Sequence, residues 1–147
     1  MNTASVEELN SRLEKRGSSP ISYNNFRPNI LFSTSKPFGE DKYYDMWFGE
    51  FPGFHFQEGE TLEARESLAV RNSAAVIIRN VKPCTRCVFT TVDPNLGEKR
   101  RDGEPLKALR EYRLGEGFGN SPLFGINGAV HRMGNLKVGD AIFASLT

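Results

Sequence analysis

Apolar residues in this chain occur only in short runs, with turn-forming glycine and proline residues between them. The sequence has 14 glycines and 8 prolines. No apolar run approaches the roughly 18 residues that a membrane-spanning helix needs. Short runs between turn signals favour strands joined by tight connections over long helices. The pattern therefore predicts a β-rich domain with few helices.

Two segments have helical character. Near the amino end, Ser5 and Glu8 have the spacing of a capping box, and apolar residues on one face follow up to Gly17, a residue suited to end a helix. Further along, Pro105 is suited to the first position of a helix, and Leu109 lies on its apolar face. We therefore predict two modest helices.

Strand signals outnumber these helices. The stretch Val-Phe-Thr-Thr-Val at 88–92 is the clearest one because it is rich in β-branched residues. Weaker strand signals occur at 30–32, 74–78, 122–126, 128–131 and 136–146. The aromatic segment 51–56 suggests an irregular loop or hairpin, and the acidic segment 58–66 a loop or short exposed helix. Together with the helices, this pattern predicts a β-rich fold, either a barrel or an α+β domain.

Length and charge narrow the class of protein. A chain of 147 residues suits a single domain. Nineteen basic and eighteen acidic residues leave a formal charge of +1, which argues against bulk electrostatic binding of nucleic acid or acidic lipid. The amino end has neither the basic and apolar regions of a signal peptide nor the composition of a transit peptide. We expect an intracellular protein, cytoplasmic or mitochondrial.

The two cysteines, Cys84 and Cys87, are three positions apart and cannot form a disulfide scaffold. They suit half of a zinc site, but the two histidines of the chain lie far apart. They suit a thioredoxin-like redox pair, but that pair opens a helix. They also suit one thiolate metal ligand, favoured by the positive charges of Lys82 and Arg86, or two buried inert thiols.

The cysteine pair is one of five motifs that occur in a fixed order. They are Phe26-Arg27-Pro28-Asn29, Cys84-Thr85-Arg86-Cys87 leading into Thr90-Thr91-Val92-Asp93-Pro94, Glu104-Pro105-Leu106, Pro122-Leu123-Phe124-Gly125 and Lys137-Val138-Gly139-Asp140. This series resembles the MOSC domain (molybdenum cofactor sulfurase C-terminal) of the amidoxime-reducing component family. The resemblance implies a MOSC-type β-barrel with a few short helices, and a single MOSC domain over residues 1–147.

The resemblance also implies a molybdenum–pterin cofactor, with Cys87 as the catalytic cysteine that binds the metal. It places Arg27, Asn29, Thr85, Arg86 and Asn127 at the cofactor, and gives Cys84 no ligand role. The chemistry is compatible: a guanidinium fork suits an anionic pterin phosphate or dithiolene, an amide suits a heterocycle edge, and a soft thiolate suits the metal.

The activity that the resemblance implies is the two-electron reduction of small N-hydroxylated compounds such as amidoximes. Electrons would come from NADH through a flavin reductase and a b-type cytochrome. The alternatives are a non-catalytic carrier or binding module for molybdenum cofactor or sulfur, and an inactive fragment. Pyridoxal phosphate binding is an expectation at family level only.

The chain departs from the family pattern in two respects. It starts at the helix that precedes the first motif, so we expect it to lack the amino-terminal β-barrel region of the family and the cofactor contacts located there. The spacing between Arg27 and Cys87 is also longer than usual, with the extra residues at about 51–75. We expect that segment to be a lid, an interaction loop or untranslated intron sequence that was read through.

Overall fold

The computed structural model describes residues 1–49 and 75–146. Two α-helices, α1 (Thr3–Lys15) and α2 (Leu106–Tyr112), occur in this part of the chain, with four strands and three short 3₁₀ helices. The strands are β1 (Tyr43–Phe48), β2 (Val76–Thr85), β3 (Leu123–Arg132) and β4 (Ile142–Leu146). The 3₁₀ helices are η1 (Tyr23–Phe26), η2 (Gly39–Lys42) and η3 (Val88–Thr91).

Helix α1 begins at Thr3, two residues before the predicted capping residue Ser5. Asn2 caps it, because its side-chain oxygen accepts a hydrogen bond from the Ala4 amide at 3.1 Å. The hydroxyl of Ser5 instead donates to the buried carboxylate of Glu40. The predicted end of the helix is confirmed: Gly17 adopts a φ of 71°, which a side chain disfavours, and its amide donates to the Glu14 carbonyl.

Contacts between Cα atoms divide the chain into two compact units. The first unit comprises Met1–Asp41 and Lys82–Asn127. Its apolar core includes residues from both helices, from η1 and from β3, with Leu9, Leu109 and Phe124 fully buried. This first unit contains all the residues that the sequence assigns to a functional site.

The second unit comprises Lys42–Val81 and Gly128–Thr147. Strand β1 pairs antiparallel with β2, with Trp47 opposite Ile77, and antiparallel with β4 on its other side. The indole of Trp47 packs against Ala75, Ile77 and the partly buried Phe143. Asp45 and Arg79, which face each other across β1 and β2, form a forked ion pair with both distances at 2.8 Å.

The α+β class is confirmed, but a barrel is not. Over the described residues the four strands form one sheet in the order β3-β2-β1-β4, and that sheet is open. The barrel therefore stays a prediction. The structure does not describe segments 51–56 and 58–66, nor nearly all of the extra segment at 51–75. The predictions for these segments therefore lie outside the described residues.

The clearest strand prediction was wrong. Residues 88–91 form the 3₁₀ helix η3, and the strand in this region is β2, which includes Cys84 and ends at Thr85. Two threonine hydroxyls explain the difference: that of Thr90 donates to the Cys87 carbonyl at 2.9 Å and that of Thr91 to the Val88 carbonyl at 2.7 Å. These local bonds compete with a sheet ladder and favour the turn.

Four weaker strand predictions need smaller corrections. The segment at 30–32 is not a strand, and only Phe32 forms an isolated bridge, with Asn2. The signals at 122–126 and 128–131 belong to the single strand β3. Of the tail at 136–146, only β4 is a strand. Strand propensity overestimated order where the chain has no neighbouring strand to pair with.

Candidate functional site

Cys87 lies at the start of η3, between the end of β2 and the first turn of the 3₁₀ helix. Its thiol is free and exposed to solvent. The backbone around it is fixed, because the Cys87 carbonyl accepts hydrogen bonds from the amide of Thr90 at 3.1 Å and from its hydroxyl at 2.9 Å. The site therefore presents an accessible sulfur on an ordered turn.

The 3₁₀ helix η1, whose last residue begins the Phe-Arg-Pro-Asn motif, packs against η3, the helix that follows Cys87. The buried side chain of Asn25 makes this connection by donating to the carbonyls of Thr90 at 3.2 Å and Val92 at 3.0 Å. Arg27 follows directly as the residue that ends η1, in a left-handed conformation with φ of 50°. Its side chain is exposed on the same cluster of turns as Cys87.

The side chain of Arg86 connects η1 with β3. Its Nε and Nη2 atoms donate to the Phe124 carbonyl at 2.8 Å and 2.6 Å, and its Nη1 donates to the Phe26 carbonyl at 3.1 Å. Burial lowers the pKa of this guanidinium, and the neighbouring thiols of Cys84 and Cys87 act in the opposite direction. Both sulfurs are therefore within electrostatic range of one positive charge.

The cationic side chains of the candidate site lack an acidic partner in the described part of the chain. Within residues 1–49 and 75–146, no carboxylate forms an ion pair with Arg27 or Arg86. Other arginines of the same unit do have such partners, as Arg113 has in Asp41. A half-buried guanidinium without a carboxylate leaves a positive potential that an anionic ligand can neutralise.

The other three predicted site residues are close in sequence to Arg27, Arg86 or Phe124, and their side chains are exposed. Asn29 is exposed two residues after Arg27, and Thr85 is exposed at the end of β2. Asn127 is exposed in β3, three residues after the carbonyl that Arg86 binds. The structure therefore brings together the segments of Arg27, Arg86 and Cys87, and it leaves these three polar side chains free toward solvent.

Sequence reasoning missed Asn25 and the aromatic support of the site. The rings of Phe26 and Phe124 stack with their centroids 4.3 Å apart, and the Arg86 guanidinium lies over the Phe26 ring at 5.2 Å. Both phenylalanines are in the motifs, so their pattern was visible. A buried asparagine before a motif gives no comparable signal, because only the tertiary contact shows what it binds.

The geometry discriminates between the interpretations of the cysteine pair. Over the described parts of the chain, no three His, Cys, Asp or Glu side chains converge as a metal site would require. Cys87 opens a four-residue 3₁₀ helix, not the α-helix of a thioredoxin-like pair. The exposure of Cys87 also disagrees with two buried inert thiols. The interpretation as one metal ligand stays a prediction, with the exposed Cys87 as its candidate.

Comparison with known proteins shows the family of the chain. The sequence profile of the MOSC domain matches residues 1–143. The chain belongs to the MOSC domain family. This MOSC domain is 33% identical over 148 residues to mitochondrial amidoxime reducing component 2 of Bos taurus, with 97% of the chain and 35% of the relative covered. It is 32% identical to mitochondrial amidoxime-reducing component 1 of Homo sapiens over the same shares.

A third relative, mitochondrial amidoxime-reducing component 1 of Xenopus laevis, is 35% identical over 97% of the MOSC domain and 34% of its own length. The chain thus spans about a third of the length of the curated relatives that it matches. None of the helices within residues 1–49 and 75–146 is both long and apolar enough to cross a membrane.

Proposed function

We propose that this MOSC domain binds molybdenum cofactor through the Cys87 thiolate and takes part in the reduction of N-hydroxylated compounds. The observation that carries the proposal is an exposed thiol on an ordered turn, in the same compact unit as the Arg27 and Arg86 guanidinium groups, which have no carboxylate partner among the described residues. This combination of a soft donor and unneutralised cations suits an anionic dithiolene-bound metal.

The residues present fit this cofactor. Cys87 would bind the metal, and the exposed guanidinium fork of Arg27 would bind an anionic group of the pterin. Asn29 and Asn127 would contact polar edges of the heterocycle, and Thr85 and Arg86 would line the site beside the ligand. When bound, the cofactor supplies the two-electron redox chemistry, and the protein supplies position and charge.

Substrate and partners follow from the relatives. Their names describe them as mitochondrial amidoxime-reducing components, and we extend this to small N-hydroxylated substrates for the present chain. Electrons would arrive from an NADH-dependent flavin reductase through a b-type cytochrome. We propose a single MOSC domain over residues 1–147, in mitochondria or the cytoplasm. Pyridoxal phosphate binding stays an expectation at family level.

Molybdenum content tests the proposal. The chain is purified from cells that make molybdenum cofactor, alongside Cys87→Ala and the matched control Cys84→Ala. We expect the wild-type chain and Cys84→Ala to retain molybdenum, and Cys87→Ala to lose nearly all of it, because only the Cys87 thiol is exposed as a ligand. Equal molybdenum in the two variants, or none in the wild-type chain, contradicts the proposal.

A carrier role is the second candidate, because an exposed thiol such as that of Cys87 can also pass sulfur or cofactor to another protein. Turnover of an amidoxime with an artificial electron donor separates the two. Cofactor binding with turnover supports the reductase. Cofactor binding without turnover supports the carrier, and a cooperatively folded chain that binds nothing supports an inactive fragment.

A further inference from the structure

Among the described residues, every hydrogen bond that the Arg86 side chain makes goes to a backbone carbonyl. Nε and Nη2 share the Phe124 carbonyl, and Nη1 reaches the Phe26 carbonyl. The guanidinium fork therefore points into the protein, toward two main-chain segments. Its own amide donates to the Pro122 carbonyl at 2.8 Å, so backbone and side chain of Arg86 both bind the start of β3.

These acceptors belong to the segments that carry the proposed site. The Phe26 carbonyl is in the peptide bond that leads into Arg27, and the Phe124 carbonyl is three residues before Asn127. Arg86 itself directly precedes Cys87 in the chain. One guanidinium thus connects the metal ligand, the exposed cation and the third segment within one unit of the chain.

The surroundings leave little freedom to this arrangement. Gly125, next to the shared carbonyl, has a φ of 73°, and a Cβ there would stand 3.4 Å from Nη2 of Arg86. The stacked rings of Phe26 and Phe124 support the two carbonyls, with the guanidinium over one ring. A planar fork with fixed donor directions fits this geometry, and a lysine ammonium does not reproduce it.

We infer that Arg86 is a positioning residue, whose guanidinium sets the distance between Cys87 and Arg27 by binding the Phe26 and Phe124 carbonyls. The inference rests on the proposed function for its consequence, since the distance matters to a guest shared by both residues. It assigns the Arg86 side chain a role through the backbone, in addition to its place beside the ligand.

Arg86→Lys is the test and Arg113→Lys is its matched control. Arg113 is a second partly buried arginine of the same unit. Its side chain donates hydrogen bonds to the Leu123 carbonyl at 3.0 Å and to the Asp41 carboxylate, and among the described residues it makes none to a predicted site residue. Both variants keep the charge and lose the fork. Melting temperatures of the metal-free proteins measure how far each substitution destabilises the fold in general.

The first readout is amide hydrogen exchange of the metal-free chain. Arg86→Lys is expected to speed exchange at the Arg27 amide, which donates to the Asn24 carbonyl, several-fold more than Arg113→Lys does. The second readout is the rate of molybdenum loss from the loaded chain, which we expect to rise about tenfold in Arg86→Lys only, as for a residue that orients a metal ligand.

The outcomes separate the two claims. Exchange at Arg27 that is equal in the two variants overturns the positioning role, whatever happens to the metal. Altered exchange with equal rates of molybdenum loss overturns it as well, because the distance then has no consequence for the guest. A wild-type chain that never retains molybdenum overturns the proposed function, while the exchange experiment still decides whether Arg86 fixes the Arg27 turn.

Discussion

Arg27, a proposed contact of the cofactor, has a strained backbone conformation. It is not glycine, yet its φ is 50°, a conformation that costs an ordinary residue about 1–2 kcal/mol. The amide of Arg27 donates to the Asn24 carbonyl, and the preceding carbonyl is held by Arg86, so neighbouring contacts offset the cost. Strain of this kind is concentrated at sites where a side chain must point in one direction.

Tyr112 allows a prediction about stability. Its hydroxyl is buried without a hydrogen-bond partner among the described residues, while Arg12 lies over its ring at 4.0 Å. Tyr112→Phe removes the unpartnered hydroxyl and keeps the ring. We expect the free energy of unfolding, measured with urea at neutral pH, to stay the same or rise by about 1 kcal/mol. A clear loss of stability would show that the hydroxyl is bonded in solution.

The same tyrosine gives a prediction about pH. Burial raises the pKa of Tyr112 to about 12, against the lowering effect of Arg12 and Arg113. In the unfolded chain it ionises near its ordinary pKa of about 10. The folded state thus holds the proton more tightly, so this contribution to stability is complete below about pH 10 and is lost as the pH rises through about 12.

Ultraviolet titration of tyrosinate measures this shift. The chain has four tyrosines, and we expect the ionisation at the highest pH to disappear in Tyr112→Phe. The variant is also expected to lose less stability than the wild-type chain between about pH 10 and 12. Tyr23→Phe, at an exposed position, serves as the control and should leave the highest ionisation in place.

Elements of this fold are fixed at their ends by a few polar side chains. The carboxylate of Glu104 is buried with 4% of its side chain exposed, and it accepts from the Ala108 amide at 2.8 Å and from Arg16 at 3.0 Å. It therefore caps α2 and ties it to the end of α1. Because a terminal amide and a guanidinium depend on one carboxylate, a substitution there affects both helices.

Glu104→Ala is expected to lower the free energy of unfolding by about 2–3 kcal/mol, because it leaves a helix amide unpaired and removes a buried partner of Arg16. Glu111→Ala is the matched control, since Glu111 also binds Arg16 but is 61% exposed. We expect a loss of about 0.5 kcal/mol or less for that variant. Equal losses in urea unfolding would mean that the capping bond contributes nothing.

At the scale of the whole molecule, the candidate site residues belong to one unit. Arg27, Arg86, Cys87 and Asn127 all lie in the unit that contains the two α-helices, whereas the Trp47 core lies in the other. The packing around the proposed cofactor is therefore supplied by the first unit. Damage to the core of each unit should have different effects on cofactor binding, even where the loss of stability is the same.

Ile77→Val and Phe26→Leu test this separation. Ile77→Val removes one methylene group from the core around Trp47 and is expected to lower the free energy of unfolding by about 1 kcal/mol. Phe26→Leu removes the ring stacked on Phe124 and is expected to cost about 1–2 kcal/mol. Only Phe26→Leu should speed molybdenum loss per folded molecule. Equal retention of metal in the two variants would argue that the site does not depend on its own core.

The sequence by itself determined the family, the two helices and the candidate residues, because these depend on local signals and on motifs in a fixed order. It could not place the turn at Val88, where threonine hydroxyls bind nearby carbonyls and prevail over strand propensity. Nor could it assign the Arg86 guanidinium to two distant carbonyls or show the role of Asn25. Those contacts join residues far apart along the chain, so only tertiary packing decides which donor meets which acceptor.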